Sequence, residues 1–155
     1  MGKRILIIFE IMLFFITFSM MSSLIITNYQ ENRIINITEN FSDTIRYKGC
    51  ITEDMYYSVL KEYPVPVKVS FVVDKYDPLI ENIDIVNQEF TEEVISDILD
   101  TKIYKMNTKD SIKIIVRRVN PNYFDTIVSV FSSESPAFNK IIAVKGGMIL
   151  NEQYR

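Results

Sequence analysis

Histidine is absent from this sequence, and with it go the usual general base and the commonest metal ligand. Neither a Ser-His-Asp nor a Cys-His nucleophile can be assembled. There are four glycines, two of them adjacent at Gly146-Gly147, so no glycine-rich loop can cradle a phosphate. Acids do come in pairs: Glu53-Asp54, Glu92-Glu93, and Asp74 with Asp77. The first two fall where helices are expected to begin, and carboxylates there complement the helix dipole. Asp74 and Asp77 could contribute to a weak Ca²⁺ site, but they lack the ligand density of an EF-hand. Cys50 is the single cysteine, so an intramolecular disulfide is impossible. It also lies too far along the chain to be a lipobox cysteine. These residues predict no enzyme, no cofactor and no metal, and they identify no small-molecule substrate.

One carboxylate has an unusual setting. Glu10 stands inside an apolar run from Ile5 to Ile26, directly preceded by Lys3 and Arg4. As a helix the run would extend roughly 33 Å, enough to cross a hydrocarbon core. A carboxylate there costs a few kcal/mol and calls for a reason. Two are open: Glu10 reaches the near interface, or it meets a charge on another helix. Lys3 and Arg4 set the N-terminus on the cytoplasmic side, and the first basic residue beyond the run is Arg33. A cleaved signal peptide is the competing reading. Ser19, Ser22 and Ser23 are the best small residues for cleavage, but more Leu and Ile follow them, and the run is long for such a segment.

The elements that would position these residues start with one long helix. From Thr27 to Lys48 there is neither proline nor glycine, and apolar residues recur at Ile26, Tyr29, Ile34, Ile37, Phe41 and Ile45. These spacings approximate one helical stripe, and Gly49 is suited to stop it. Thr52 is expected to cap a helix over residues 53–63, ended by Pro64 and Pro66. Val67 to Val73 alternates as a half-buried strand, 74–78 reads as a turn, and 79–86 has weak strand character. Thr91 should cap a helix to Asp100, with Val94, Ile95, Ile98 and Leu99 inward. Residues 111–119 alternate most clearly as a strand, with Ile112, Ile114 and Val116 on one side, and Asn120-Pro121-Asn122 stops it. Residues 126–131 could form a strand or a short helix, and their β-branched residues favour the strand. Residues 140–145 form a last strand, and Gly146-Gly147 predicts a bulge or turn. The expected fold is α+β: a long N-terminal transmembrane helix continuing into a stalk, then a small antiparallel sheet with short helices. Its divisions are an anchor at 1–26, a stalk at 27–49 and an extracytoplasmic domain at 50–155.

The charge balance adds an exclusion. Of 17 basic and 20 acidic residues, setting aside Lys3, Arg4 and Glu10 leaves 15 and 19, a net of −4. Arg117-Arg118 is the densest basic cluster and lies in a strand, so no nucleic-acid surface is predicted. Asn36-Ile37-Thr38 and Asn40-Phe41-Ser42 match glycan acceptors, but they fall on the predicted helix, where chance is the better account.

Phe9-Glu10 within the apolar run, and the helix ending Phe41-Ser42-Asp43-Thr44-Ile45-Arg46-Tyr47-Lys48-Gly49, resemble TadE-type and type IV pilin-like single-span proteins of Gram-positive bacteria. So do Ile51-Thr52-Glu53-Asp54-Met55-Tyr56 and Gly146-Gly147-Met148-Ile149-Leu150-Asn151-Glu152. The resemblance implies a structural or accessory subunit of a tight-adherence or type IV pilus-like assembly at the cell membrane. Its partners would be the lipid bilayer and other pilin-like subunits or assembly-platform membrane proteins. It further implies that Glu10 sets register against a neighbour's N-terminal amine, with Phe9, Phe14 and Phe15 packing beside it. Ile5 occupies the place where a prepilin peptidase expects a small residue, which implies an accessory role over a major one. The exposed faces of strands 111–119 and 140–145 would offer a neighbour an edge. The alternative is a membrane-tethered extracytoplasmic binding module that uses the helix as a simple anchor. A third possibility is a domain released by signal peptidase.

Overall fold

In the computed structural model, residues 2–76, 87–132, 135 and 138–150 are described. The expectations for Asp77, for 79–86 and for Asn151 and Glu152 lie outside them. The architecture is mixed helix and sheet: one long apolar N-terminal helix, then small antiparallel sheets with short helices.

Helix α1 runs from Gly2 to Lys48, 47 residues without a break, or roughly 70 Å. Gly49 ends it: its φ of 67° is left-handed, and its N–H donates to the Ile45 carbonyl at 2.8 Å. The two halves of α1 differ. Side chains from Lys3 to Phe18 are all exposed, whereas Ser23, Thr27, Ile34, Thr38, Phe41, Ser42 and Ile45 are buried. The expected stripe holds at Ile34, Phe41 and Ile45, but Ile26 and Tyr29 face outward. Thr27 and Ser23 continue the inner face instead, because Thr27, Ile34 and Phe41 are seven residues apart and share one side of the helix.

The inner face packs on a four-stranded sheet of order β3-β2-β5-β6, antiparallel throughout: β2 Val67–Lys75, β3 Asn87–Phe90, β5 Ser111–Arg118 and β6 Ile141–Met148. Val69, Phe71 and Val73 lie opposite Val116, Ile114 and Ile112, and all six are buried. With Ile34, Phe41 and Ile45 they form the centre of the core. Ion pairs fasten α1 to the sheet: Glu31 with Lys140 at 3.2 Å and Glu39 with Lys145 at 3.0 Å.

Between Gly49 and β5 lie the smaller pieces. β1 Cys50–Thr52 pairs with β4 Ile103–Lys105 as a separate two-stranded sheet. Thr52 caps α2, Glu53–Glu62, accepting the Met55 N–H at 3.2 Å. Helix α3, Thr91–Thr101, starts one residue earlier than expected, with Phe90 at its cap. Thr91 is drawn away to β2, where its hydroxyl accepts the Phe71 N–H at 2.8 Å and donates to the Phe71 carbonyl at 3.0 Å. Val94 and Ile98 are buried as expected, but Leu99 is exposed.

Two other expectations are corrected. Residues 123–132 form helix α4, not a strand. The Asn122 side chain accepts the Asp125 N–H at 2.5 Å, and its carbonyl accepts the Thr126 N–H at 3.1 Å, which starts a helix that then packs on α1. Tertiary packing outweighs the β-branched preference. Gly146-Gly147 makes no turn, for β6 runs through both. They are needed for close approach: a Cβ at Gly146 would overlap the Ile112 carbonyl, and one at Gly147 would crowd the Arg46 guanidinium. The bulge sits earlier, where Val116 and Arg117 pair with Ala143 and Ile141 and Ile142 is the extra residue. Only β6 of the two proposed edge strands is an edge, since β5 is paired on both sides.

Candidate functional site

Among the described residues α1 is the one helix long and apolar enough to cross a membrane. Lys3, Arg4, Phe9, Glu10, Phe14 and Phe15 all lie on its exposed half. Phe14 stands edge-on to Phe15 with centroids 6.0 Å apart and stacks on Phe18 at 6.2 Å. Glu10 is one turn before Phe14, on the same side, and has no ion-pair partner among the described residues. Thr17, the hydroxyl deepest in the run, turns back on its own helix to the Leu13 and Phe14 carbonyls at 3.0 and 2.9 Å. That partners the hydroxyl within its own helix.

Where the exposed half of α1 meets the folded domain, a cavity of about 710 Å³ opens. Phe15, Phe18 and Ile26 supply its apolar wall, with Ser22, Ser23 and Thr27 interleaved along α1. Facing them are Val65, Pro66 and the Asn120-Pro121-Asn122 corner between β5 and α4. At its polar end is Arg118, the last residue of β5, only 4% exposed. Strand parity dictates its direction: after Ile112, Ile114 and Val116, the next inward position is 118. Its backbone N–H donates to the Lys140 carbonyl at 2.9 Å, which fixes the strand end.

The electrostatics there are unfinished. Arginine is rarely buried unless paired, and Arg118 Nη2 lies 3.6 Å from Glu31 Oε1, an ion-pair distance too long for a hydrogen bond. The same Glu31 oxygen accepts from Lys140 Nζ at 3.2 Å. One carboxylate thus serves two cations. Nε, Nη1 and Nη2 of Arg118 have no acceptor among the described residues; neither does Asn122 Nδ2, and Asp125 Oδ2 has no donor.

Other polar groups that draw the eye are engaged in holding the fold. Asp110 is fully buried, its two oxygens accepting the Tyr76 and Asn107 N–H groups at 2.8 Å each. Asp74 accepts from Gln88 at 2.9 Å and Ser111 at 3.1 Å. Tyr104 donates to Glu89 Oε2 at 2.5 Å, and Lys75 pairs with the other oxygen at 3.0 Å. Burial pushes the Tyr104 hydroxyl well above its ordinary value, and the Glu89 carboxylate adds to this. Burial also pushes the Glu89 carboxyl up, but the hydrogen bonds from Tyr104 and Lys75 outweigh it and hold the group below the usual carboxylate value. No cluster of metal-ligating side chains occurs among the described residues.

Reading the sequence by residue type missed Arg118, Glu31, Lys140 and Asn122 as a group. The signal for Arg118 was its place in the alternation. No protein-family model, curated protein or solved structure matches the chain.

Proposed function

We propose that this chain is a membrane-anchored, pilin-like structural or accessory subunit of a surface or secretion assembly. Its N-terminus faces the cytoplasm, by the charge of Lys3 and Arg4, and its folded domain lies outside. The observation that carries this reading is the division of α1. One uninterrupted helix leaves its first half bare and apolar and packs its second half across an antiparallel sheet. A bare apolar half needs lipid or other helices around it. In this arrangement Glu10, Phe9, Phe14 and Phe15 lie on a surface that a neighbouring subunit's helix can cover, and Glu10 meets that neighbour's amine and sets register.

The test is cross-linking within membranes. A cysteine introduced by Phe14→Cys on a Cys50→Ser background should give disulfide-linked oligomers on oxidation. Adding Glu10→Ala should abolish the oligomers while leaving insertion and the folded domain intact. An inserted protein that gives no cross-links even with Glu10 present would reject the assembly reading. It would favour the second reading, a tethered binding module with α1 as its anchor. One feature supports that alternative: the cavity beside Arg118, whose polar end has donors still to be matched.

A further inference from the structure

We infer that the cavity beside Arg118 binds an anionic phospholipid taken from the leaflet around α1. Its phosphate would be held by the Arg118 guanidinium and the Asn122 amide, and an acyl chain would lie along Phe15, Phe18 and Ile26. The assignment rests on the membrane placement of α1, though not on assembly with other subunits.

Four observations converge on this ligand. First, Arg118 and Asn122 line the cavity and carry buried side-chain nitrogens, all donors, that have no acceptor among the described residues. A phosphate presents several acceptor oxygens at once and suits the planar fork of arginine. Second, the one charged side chain that lines the cavity is a cation, Arg118. Glu31 offsets it only in part, at 3.6 Å and shared with Lys140, while the Asp125 carboxylate beside Asn122 is not among the lining residues. Third, the lining along α1 grows more polar in the direction a lipid does. Phe15 and Phe18 come first, then Ser19, Ser22 and Ser23, then Ile26 beside Thr27, and Gln30 last. With the N-terminus cytoplasmic, that sequence runs from mid-bilayer toward the outer headgroups, as a lipid of the outer leaflet does. Fourth, the volume of about 710 Å³ lies within the range of small-molecule sites.

A neighbouring helix is the weaker occupant. Its backbone groups are already bonded internally, so it could reach Arg118 only through an acidic side chain. Free phosphate would match the donors but leave the wall of Phe15, Phe18 and Ile26 uncovered. Exposed side chains on α4 fit a surface that meets the leaflet: aromatic Tyr123, which lines the cavity, is 66% exposed, and apolar Val130 is 75% exposed.

The experiment uses the full-length protein in dodecyl maltoside micelles, with thermal unfolding followed by circular dichroism. Dioctanoyl phosphatidylglycerol, dioctanoyl phosphatidylcholine and inorganic phosphate are titrated in turn. The expected result is a saturable rise in Tm with phosphatidylglycerol alone. Arg118→Gln should weaken the apparent affinity at least tenfold, and Asn122→Ala several-fold. Glu31→Gln should strengthen it, because it releases both cations, and a merely damaged fold would not do that. If Arg118→Gln does not fold, Asn122→Ala and Glu31→Gln decide the matter. Equal shifts with phosphatidylcholine, or an equal shift with inorganic phosphate, would overturn the assignment, as would no shift at all. Carbonate extraction of cell membranes separates the two levels. Protein released without detergent would end the membrane reading itself, whereas retained protein indifferent to phosphatidylglycerol would end only this one.

Discussion

The two halves of α1 obey opposite rules of composition. From Ile5 to Phe18 the side chains are overwhelmingly apolar, and every one is exposed. Between Ser23 and Ser42 four of the six buried positions carry hydroxyls, at Ser23, Thr27, Thr38 and Ser42. Hydrophobicity therefore does not mark the packed part of this helix. In the first half, under the membrane reading proposed above, it answers a surrounding that is itself apolar. In the second, small hydroxyl residues line the packed face and find partners on their own backbone or on a neighbouring element. Thr38 shows both: its hydroxyl donates to the Ile34 carbonyl at 2.7 Å and shares a hydrogen bond with Tyr63, at the end of α2, at 3.1 Å.

The largest test of this contrast places the same charge in each half. Ile34→Asp puts a carboxylate at a fully buried position in the core and should cost more than about 4 kcal/mol, enough to unfold the domain. Leu13→Asp should leave the domain's thermal transition in place yet weaken membrane retention, by up to about 3 kcal/mol near mid-bilayer. Circular dichroism melts and carbonate extraction read the two effects. If Leu13→Asp unfolds the domain, the halves are not independent in this sense.

A smaller test exchanges threonine for valine. Thr38→Val leaves the Tyr63 hydroxyl without its partner and should lower stability by about 1–2 kcal/mol. Thr17→Val, whose hydroxyl only turns back on its own helix, should change stability by less than about 0.5 kcal/mol. Denaturant midpoints at constant m would measure both, and equal losses would erase the distinction.

The smallest effect is a control remote from α1. Glu89 titrates below its unfolded value of 4.5, so its contribution is present above that pH and is lost as pH falls through the lower folded value. The group is partly exposed, and the loss should stay under about 1 kcal/mol. Glu89→Gln should flatten the acid side of the stability curve between pH 5 and roughly 3 without altering the response of either half of α1.

Much of the sheet was legible because period-two alternation is a direct consequence of strand geometry. Val67–Val73 and Ser111–Val119 stood out for that reason, as did the capping threonine at 52. The stripe on α1 was legible only where it was apolar. Counting Ile26 and Tyr29 inward followed hydrophobicity, whereas the actual face continues through Thr27 and Ser23. α4 was misread because its β-branched residues describe a local preference, while its start is set by Asn122 and its place by a helix about a hundred residues away in sequence. Arg118 could have been placed by parity alone. Its cavity could not, since the walls come from α1, the Val65-Pro66 segment and the corner after β5.

The uninterrupted backbone of α1 also makes it a lever. No proline or glycine interrupts it between Lys3 and Lys48, and kinks in helices usually need such a residue or an inserted group. A rod of about 70 Å tilted by about 20° carries its far end sideways by roughly 24 Å. Because the sheet is clamped to that far end through Glu31, Glu39 and the core, the domain must travel with it. In the membrane setting proposed above, a change in bilayer thickness, or a push on the first few turns, would reach the folded domain as a displacement larger than the thickness of the sheet itself.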